Sequence, residues 1–424
     1  MLDILREVGL DPMQFLTLLA ASSIVLILAF RPFVISLIDP LNVFVVSMCA
    51  CAVLMFGMNW AEGAKIEFAF FVFFFWLGFA SAGKVPARHP EKRFHADGLL
   101  DMQIVLLLVC IAIVVANVYL GVTAGFPLLS ADPSISKVTA FTGGLGIIRH
   151  LNFGPFLFLC CGCTLFIAIG YKQTLALTLL AVSSAFIALS GAKSALLPIL
   201  FVQAFVIHHN GLRMSATFTA RLRRFVLPSF GAALAVAIAV IVRDNGGITR
   251  GIIFLAKRLL FYGDVILFYY PRRGVIPELA GANPFTYIKY LVDPLLGMFR
   301  LEDYTLPLGT IIAGNLDAGF GPNVQYFVRA DIFFGPVFGC GYCLAIGYIG
   351  GMLRRSFFTL RTNNVMIFTF ALMMAVSAFT LATESQLFVS EVADTALFLF
   401  PLWAFAYVAR MAAQASHRLP EATS

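Results

Sequence analysis

Arg329 and Asp331 stand two residues apart in "NVQYFVRADIFFGPVFG", residues 323–339, against an apolar, glycine-dotted run that continues to Leu353. Charge beside hydrocarbon is costly, so it marks either a partner or a task. A guanidinium is a planar fork that grips phosphate with two parallel hydrogen bonds and never deprotonates. A carboxylate or imidazole within reach of a hydroxyl is a general base. Other basic residues gather at positions that the chain topology below brings to the same level: Lys137, Arg149, Lys193, Arg243, Arg250, Lys257, Arg258, Arg272, Arg273 and Arg300. Of these, Lys137, Arg149, Lys193, Arg243, Arg250, Arg258 and Arg329 are the candidate anion-binding residues, and Asp331, Asp264 and His150 the candidate bases. For any one of them alone, a solvated or acid-paired side chain is the plainer expectation, Arg329 with Asp331 included.

The motifs of soluble catalysts are absent: no Walker A loop, no HExxH and no nucleophile elbow. The stretches "CCGC" (160–163) and "CGYC" (340–343) lie inside apolar runs, where cysteines serve as small packing residues. His150, His208 and His209 share no metal-ligand spacing. The reading is therefore of chemistry without a metal or cofactor, and nothing points to nucleic acid.

The elements that hold these residues follow from composition. Hydrophobic residues make up 60% of the 424, charged residues only 12%, and the mean hydropathy is +0.92. A soluble domain needs more charge to cover its surface. A membrane β-barrel would alternate polar and apolar residues instead of running apolar for about 20. The predicted class is an all-α polytopic membrane protein with about eleven spans, at 14–30, 38–57, 66–83, 102–121, 151–171, 174–190, 194–210, 225–242, 330–352, 365–383 and 394–411. The first follows a mainly acidic tail rather than a basic one, and reads as an uncleaved span.

Loop charge orients them. The segments 84–95, 208–224 and 354–361 and the C-terminal tail are basic, and an even number of spans separates each from the next. The positive-inside rule makes all four cytoplasmic and the N-terminus external. The chain then divides into 1–242 with eight spans, a large external loop at 243–329, and 330–424 with three spans and a cytoplasmic tail. Within the loop, 252–270 and 283–299 read as amphipathic helices lying at the interface. Gly335/Gly339 and Gly347/Gly351 are GxxxG pairs suited to close helix packing. The spans read as nearly free of charge, with ionisable groups crowding the external ends. The 44 phenylalanines, "FAFFVFFFW" (68–76) among them, read chiefly as lipid-facing bulk.

Three stretches of the chain carry a resemblance to a known family. "GFPLLSADPSISKVTAFTGGLGIIRHL" (125–151) resembles the outer loop of bacterial oligosaccharide repeat-unit polymerases of the Wzy type, with Phe126 in place of the usual Ile and Lys137 where Arg is common. "LSGAKSALL" (189–197) resembles the turn these proteins share with O-antigen ligases, with Lys193 in place of Arg. "VQYFVRADIFFGPVFGCGYCLAIGYIGG" resembles their late span after the large loop. The likeness covers roughly 120–355, and the Arg-x10-Gly pattern of some members is not cleanly present. It implies a GT-C-like fold in a bacterial cytoplasmic membrane. It also implies inverting, metal-independent transfer of a growing glycan from polyprenyl diphosphate to a lipid-linked repeat unit. The implied partners are polyprenyl-diphosphate-linked oligosaccharides, membrane lipids, and chain-length regulator and flippase proteins. An O-antigen ligase-like transferase and a lipid-linked oligosaccharide flippase are the alternatives. A flippase would carry polar groups at the membrane midplane on broken helices.

Overall fold

The computed structural model describes residues 12–82, 84–130, 146–191, 197–218, 220, 247, 261–298, 308–314 and 322–418. Among them there is no strand, only an isolated bridge between Lys92 and Leu212. The long helices are α1 (Pro12–Phe30), α2 (Pro40–Gly57), α3 (Glu62–Ser81), α4 (Ala96–Thr123), α5 (Gly146–Ile169), α6 (Gln173–Leu189) and α7 (Leu197–His208). They continue as α8 (Pro284–Met298), α9 (Tyr326–Thr359), α10 (Val365–Val376, extended by short turns to Thr383) and α11 (Ser385–Arg418). Eight described helices are long and apolar enough to cross a membrane, and α6 and α7 are shorter apolar helices. The chain is an all-α, multi-pass membrane protein. The predicted span at 225–242 lies outside the described residues.

The helices start where the sequence permits. Asp39 caps α2 by accepting a hydrogen bond from the Leu41 amide at 2.9 Å, with Pro40 in the first turn. Asn364 caps α10 through the amides of Met366 and Ile367. Two large clusters form most of the core: one gathers α1, α2, α3, α9 and the segment 265–276, and the other gathers α4 to α7, α10 and α11.

Helices α3 and α9 meet backbone to backbone. A β-carbon on Gly347 would lie 2.1 Å from the Phe75 carbonyl oxygen, and one on Gly78 would lie 2.0 Å from that of Leu344. Gly347 and Gly351 thus pack as a GxxxG pair should. Gly335 does something else. Its backbone (φ 67°, ψ −177°) lies outside the helical region, and Pro336 starts the next helical stretch. The carbonyl of Ala330 lies 3.1 Å from where a β-carbon on Gly339 would sit, and the Phe334 and Tyr342 rings stack with centroids 4.8 Å apart. A straight helix would hold residues nine apart about 13 Å from each other. The half 326–334 therefore folds back on the half after Gly335 as a helical hairpin.

Two expectations are corrected here. Residues 261–272 are not part of one interfacial helix: they form short turns around Val265–Tyr269, with Val265, Ile266 and Tyr269 fully buried. The Tyr262 carbonyl accepts from Ser47, midway along α2, so this segment packs into the helix bundle. Nor are the spans nearly free of charge. Asp39, Asp101, Arg329, Arg354, Glu391 and Asp394 are all buried among them.

The basic-loop face is tied across its loops. Arg354 grips Asp39 with two hydrogen bonds of 2.6 and 2.8 Å, donates to the Phe33 carbonyl, and lies between the Phe205 and Phe379 rings. Lys92 donates to the Leu360 and Thr362 carbonyls, joining 84–95 to the segment after α9.

Candidate functional site

Arg329 is fully buried in the folded-back half of α9. Its Nε donates to Tyr342 Oη at 3.2 Å, Nη1 to the carbonyls of Val324 and Thr383, and Nη2 to those of Leu381 and Ala382 at 2.9 and 2.8 Å. All five guanidinium donors are used. Three of the acceptors are carbonyls at the end of the α10 unit, where helical partners run out. Arg329 therefore closes a helix end. It is neither at an open lip nor paired with Asp331, as the sequence had suggested. Residues two apart on a helix point to different sides.

Asp331, on the other side of that half-helix, meets Arg273. The guanidinium binds both carboxylate oxygens, Nε to Oδ2 at 2.5 Å and Nη2 to Oδ1 at 2.8 Å, and Nη2 also reaches Glu67 on α3. Tyr269 donates to Asp331 Oδ2 at 2.7 Å. Burial, and then the adjacent Asp331 carboxylate, raises the Tyr269 phenol, so it stays a donor. The group is half-open: the Arg273 side chain keeps 30% of its exposure, while Glu67 and Asp331 keep 14% and 9%. Two carboxylates facing one guanidinium leave a net negative charge, which suits a base or a cation more than an anion.

The second assembly lies where α5 passes α11. His150 Nδ1 donates to Asp394 Oδ2 at 2.7 Å, with Asp394 buried and the His150 side chain 15% exposed. This contact fixes the tautomer and leaves Nε2 as the ring's acceptor. The same helix pair is tight: a β-carbon on Gly154 would lie 2.2 Å from the Glu391 carbonyl oxygen. One turn away Glu391 accepts from Ser377 Oγ at 2.9 Å, at the break in the α10 unit. Arg149, the residue before His150, is exposed and rests over the Phe153 ring. Glu384, between the α10 unit and α11, has its carboxyl raised by burial, an effect opposed by Arg149 and then by Arg329. An exposed arginine, a carboxylate-oriented histidine and a half-buried acid thus share one end of the bundle.

The third candidate base stands apart. Asp264 precedes the Val265–Tyr269 turn, and burial pushes its carboxyl up to about 6. No described hydrogen bond or ion pair joins Asp264, Asp331 and His150. Lys137, Lys193, Arg243, Arg250 and Arg258 lie outside the described residues. Sequence reasoning assigned no role to Glu67, Arg273, Glu384 or Asp394. Arg273 was visible among the basic residues near the large loop. Glu67 and Asp394 were visible only as acids at the start of predicted spans, and an acid inside an apolar run is itself the signal of a buried partner. No family model, curated protein or solved structure matches the chain.

Proposed function

We propose that this protein is a membrane glycosyltransferase of the repeat-unit polymerase kind. It transfers a growing glycan from polyprenyl diphosphate to a hydroxyl of a lipid-linked repeat unit at the outer face of a bacterial cytoplasmic membrane. The His150–Asp394 pair beside exposed Arg149 carries this reading. Asp394 holds the imidazole so that Nε2 takes the acceptor hydroxyl's proton. The freed oxygen attacks the anomeric carbon and inverts it. The bond from that carbon to the diphosphate oxygen breaks, and the electron pair leaves on the diphosphate. Arg149 stabilises that charge as it develops. The leaving group departs as a diphosphate already, so charge stabilisation by side chains suffices. The GT-C-like architecture belongs to this same reading.

A flippase for lipid-linked oligosaccharides is the second reading. The hairpin at Gly335, the break at Ser377–Phe379 and the buried Glu391 and Asp394 favour it, since broken helices with buried acids line translocation paths. Deleting the gene and analysing the glycans separates the two. A polymerase gives loss of long polymer with single repeats retained on the outer face. Repeats trapped on the inner face would overturn polymerisation in favour of flipping, and lipid-linked polymer accumulating unattached would point to a ligase.

A further inference from the structure

On the basic-loop face, a cavity of about 530 Å³ opens between the first turn of α4, the loop before α10 and the last turns of α11. Asp97, Asp101, Asn363, Trp403, Tyr407 and Arg410 line it. That volume suits a small molecule. Its charges do not balance. Arg410 is shared by two carboxylates, Nη1 lying 3.1 Å from Asp97 Oδ2 and Nε 3.2 Å from Asp101 Oδ1. The second contact falls outside hydrogen-bond geometry, so Asp101 Oδ1 and Arg410 Nε face each other, both buried and neither with a hydrogen bond among the described residues. Asp101 as a whole keeps only 4% of its exposure. A buried carboxylate oxygen without a donor is costly.

The two helix ends at the cavity do not supply the missing donor. Asn364 already caps α10, and Asp97 sits in the first turn of α4, where a carboxylate answers the helix dipole. Arg410 is held over the Tyr407 ring at 5.3 Å. What remains is a space lined by two carboxylates that share one guanidinium, and walled by two aromatic side chains, Trp403 and Tyr407, one helical turn apart. We propose that this cavity binds a protonated amine. Its ammonium would answer the carboxylate charge of Asp97 and Asp101 that Arg410 alone leaves unmatched, and its alkyl part would lie against the indole. The amine is either the ethanolamine headgroup of an inner-leaflet lipid or a free cytosolic amine. This site is separate from the proposed catalytic one and does not depend on it.

The test reads Trp403 directly. The chain has three tryptophans, so Trp60→Phe with Trp76→Phe leaves Trp403 as the sole emitter. In nanodiscs of phosphatidylglycerol, ethanolamine or spermidine should change its emission saturably, while glycerol and inorganic phosphate should not. Asp101→Asn, near-isosteric, should weaken amine binding by more than about tenfold, because it removes one partner of a buried charge pair. Asn363→Asp, at the exposed rim, should tighten it several-fold and guards against a misfolded Asp101 variant. In phosphatidylethanolamine discs, emission already at the bound value assigns the site to the lipid headgroup. An unchanged titration there assigns it to the free amine. No saturable response to either amine or to the lipid, an equal response to glycerol or phosphate, or unaltered affinity in folded Asp101→Asn would overturn the proposal.

Discussion

Arg329 and Asp331 point from different sides of one half-helix, and the arginines met on the two sides are used in opposite ways. On one side Arg329 is fully buried and spends all five donors on fixed acceptors, four of them backbone carbonyls. On the other, Arg273 is partly open and faces two carboxylates and the Tyr270 ring. Arg354 belongs with the first kind: buried, bidentate to Asp39, and sandwiched by rings. Arg149 belongs with the second. The contrast separates arginines whose donors are sealed inside the fold from those that keep exposure to a ligand. Donors already satisfied by the protein have nothing to offer a substrate.

The sharpest way to break that division is to remove Arg354. Arg354→Met leaves Asp39 charged and buried, at a cost of about 3–5 kcal/mol, typical of breaking a buried pair. Abundance and detergent melting temperature should fall together, and Asp39→Asn added to Arg354→Met should restore much of both. A stable single variant would show that Arg354 is not structural. Arg329→Lys should behave likewise, because an ammonium cannot reach five separated acceptors. An Arg329→Lys protein of normal abundance that has lost only activity would return Arg329 to the anion-binding group.

The next largest effect tests the other side. Asp394→Asn and His150→Gln should each lower polymer formation by roughly 10²–10³-fold, the scale of a lost general base. Abundance should stay near wild type, since Gln keeps a polar side chain at a partly exposed position. If Asp394 acts only by orienting His150, adding Asp394→Asn to His150→Gln should cost little more, as residues acting as one unit are not additive. Full additivity would count against the dyad.

How much of this was legible beforehand depends on which rule each residue obeys. Hydropathy placed ten of the eleven spans close to described helices, because backbone satisfaction in lipid leaves little else than helices. The GxxxG pair Gly347/Gly351 was legible, since its spacing alone creates the close contact. Gly335 matched the same pattern, yet it is a turn; Pro336 right after it was the overlooked cue, because Gly-Pro punctuates structure. The failed pairing of Arg329 with Asp331 was avoidable too, as an i,i+2 spacing cannot face one partner on a helix. The pairings His150–Asp394 and Arg273–Asp331 were not legible. They span 244 and 58 residues, and no local spacing encodes contacts between helices so distant in the chain.

A smaller effect is expected at Arg273. Arg273→Lys keeps the charge and loses the fork that spans Asp331 and Glu67. Activity should drop roughly tenfold, the scale of one charge-assisted hydrogen bond, with melting temperature little changed because the site is partly solvated. A large loss of abundance instead would move Arg273 into the class of Arg329 and erase the contrast between the two sides.

The smallest effect concerns Asp264, which is partly buried and pairs with no arginine among the described residues. Burial raises its carboxyl to about 6, above its value in an unfolded chain. Between the unfolded and folded values the native state holds a proton that the unfolded state has released. Stability is therefore greatest below about pH 4 for this group and falls as pH rises through about 6. Two units would correspond to about 3 kcal/mol, and partial exposure reduces this to about 1–2 kcal/mol. Melting the purified protein from pH 4 to 7 should show this loss, and Asp264→Asn should remove that part of the slope while leaving stability at pH 7 higher than wild type. If Asp264→Asn destabilises the protein at pH 7, the carboxylate has a cationic partner, and Asp264 joins Asp331 among the acids that arginine holds in place.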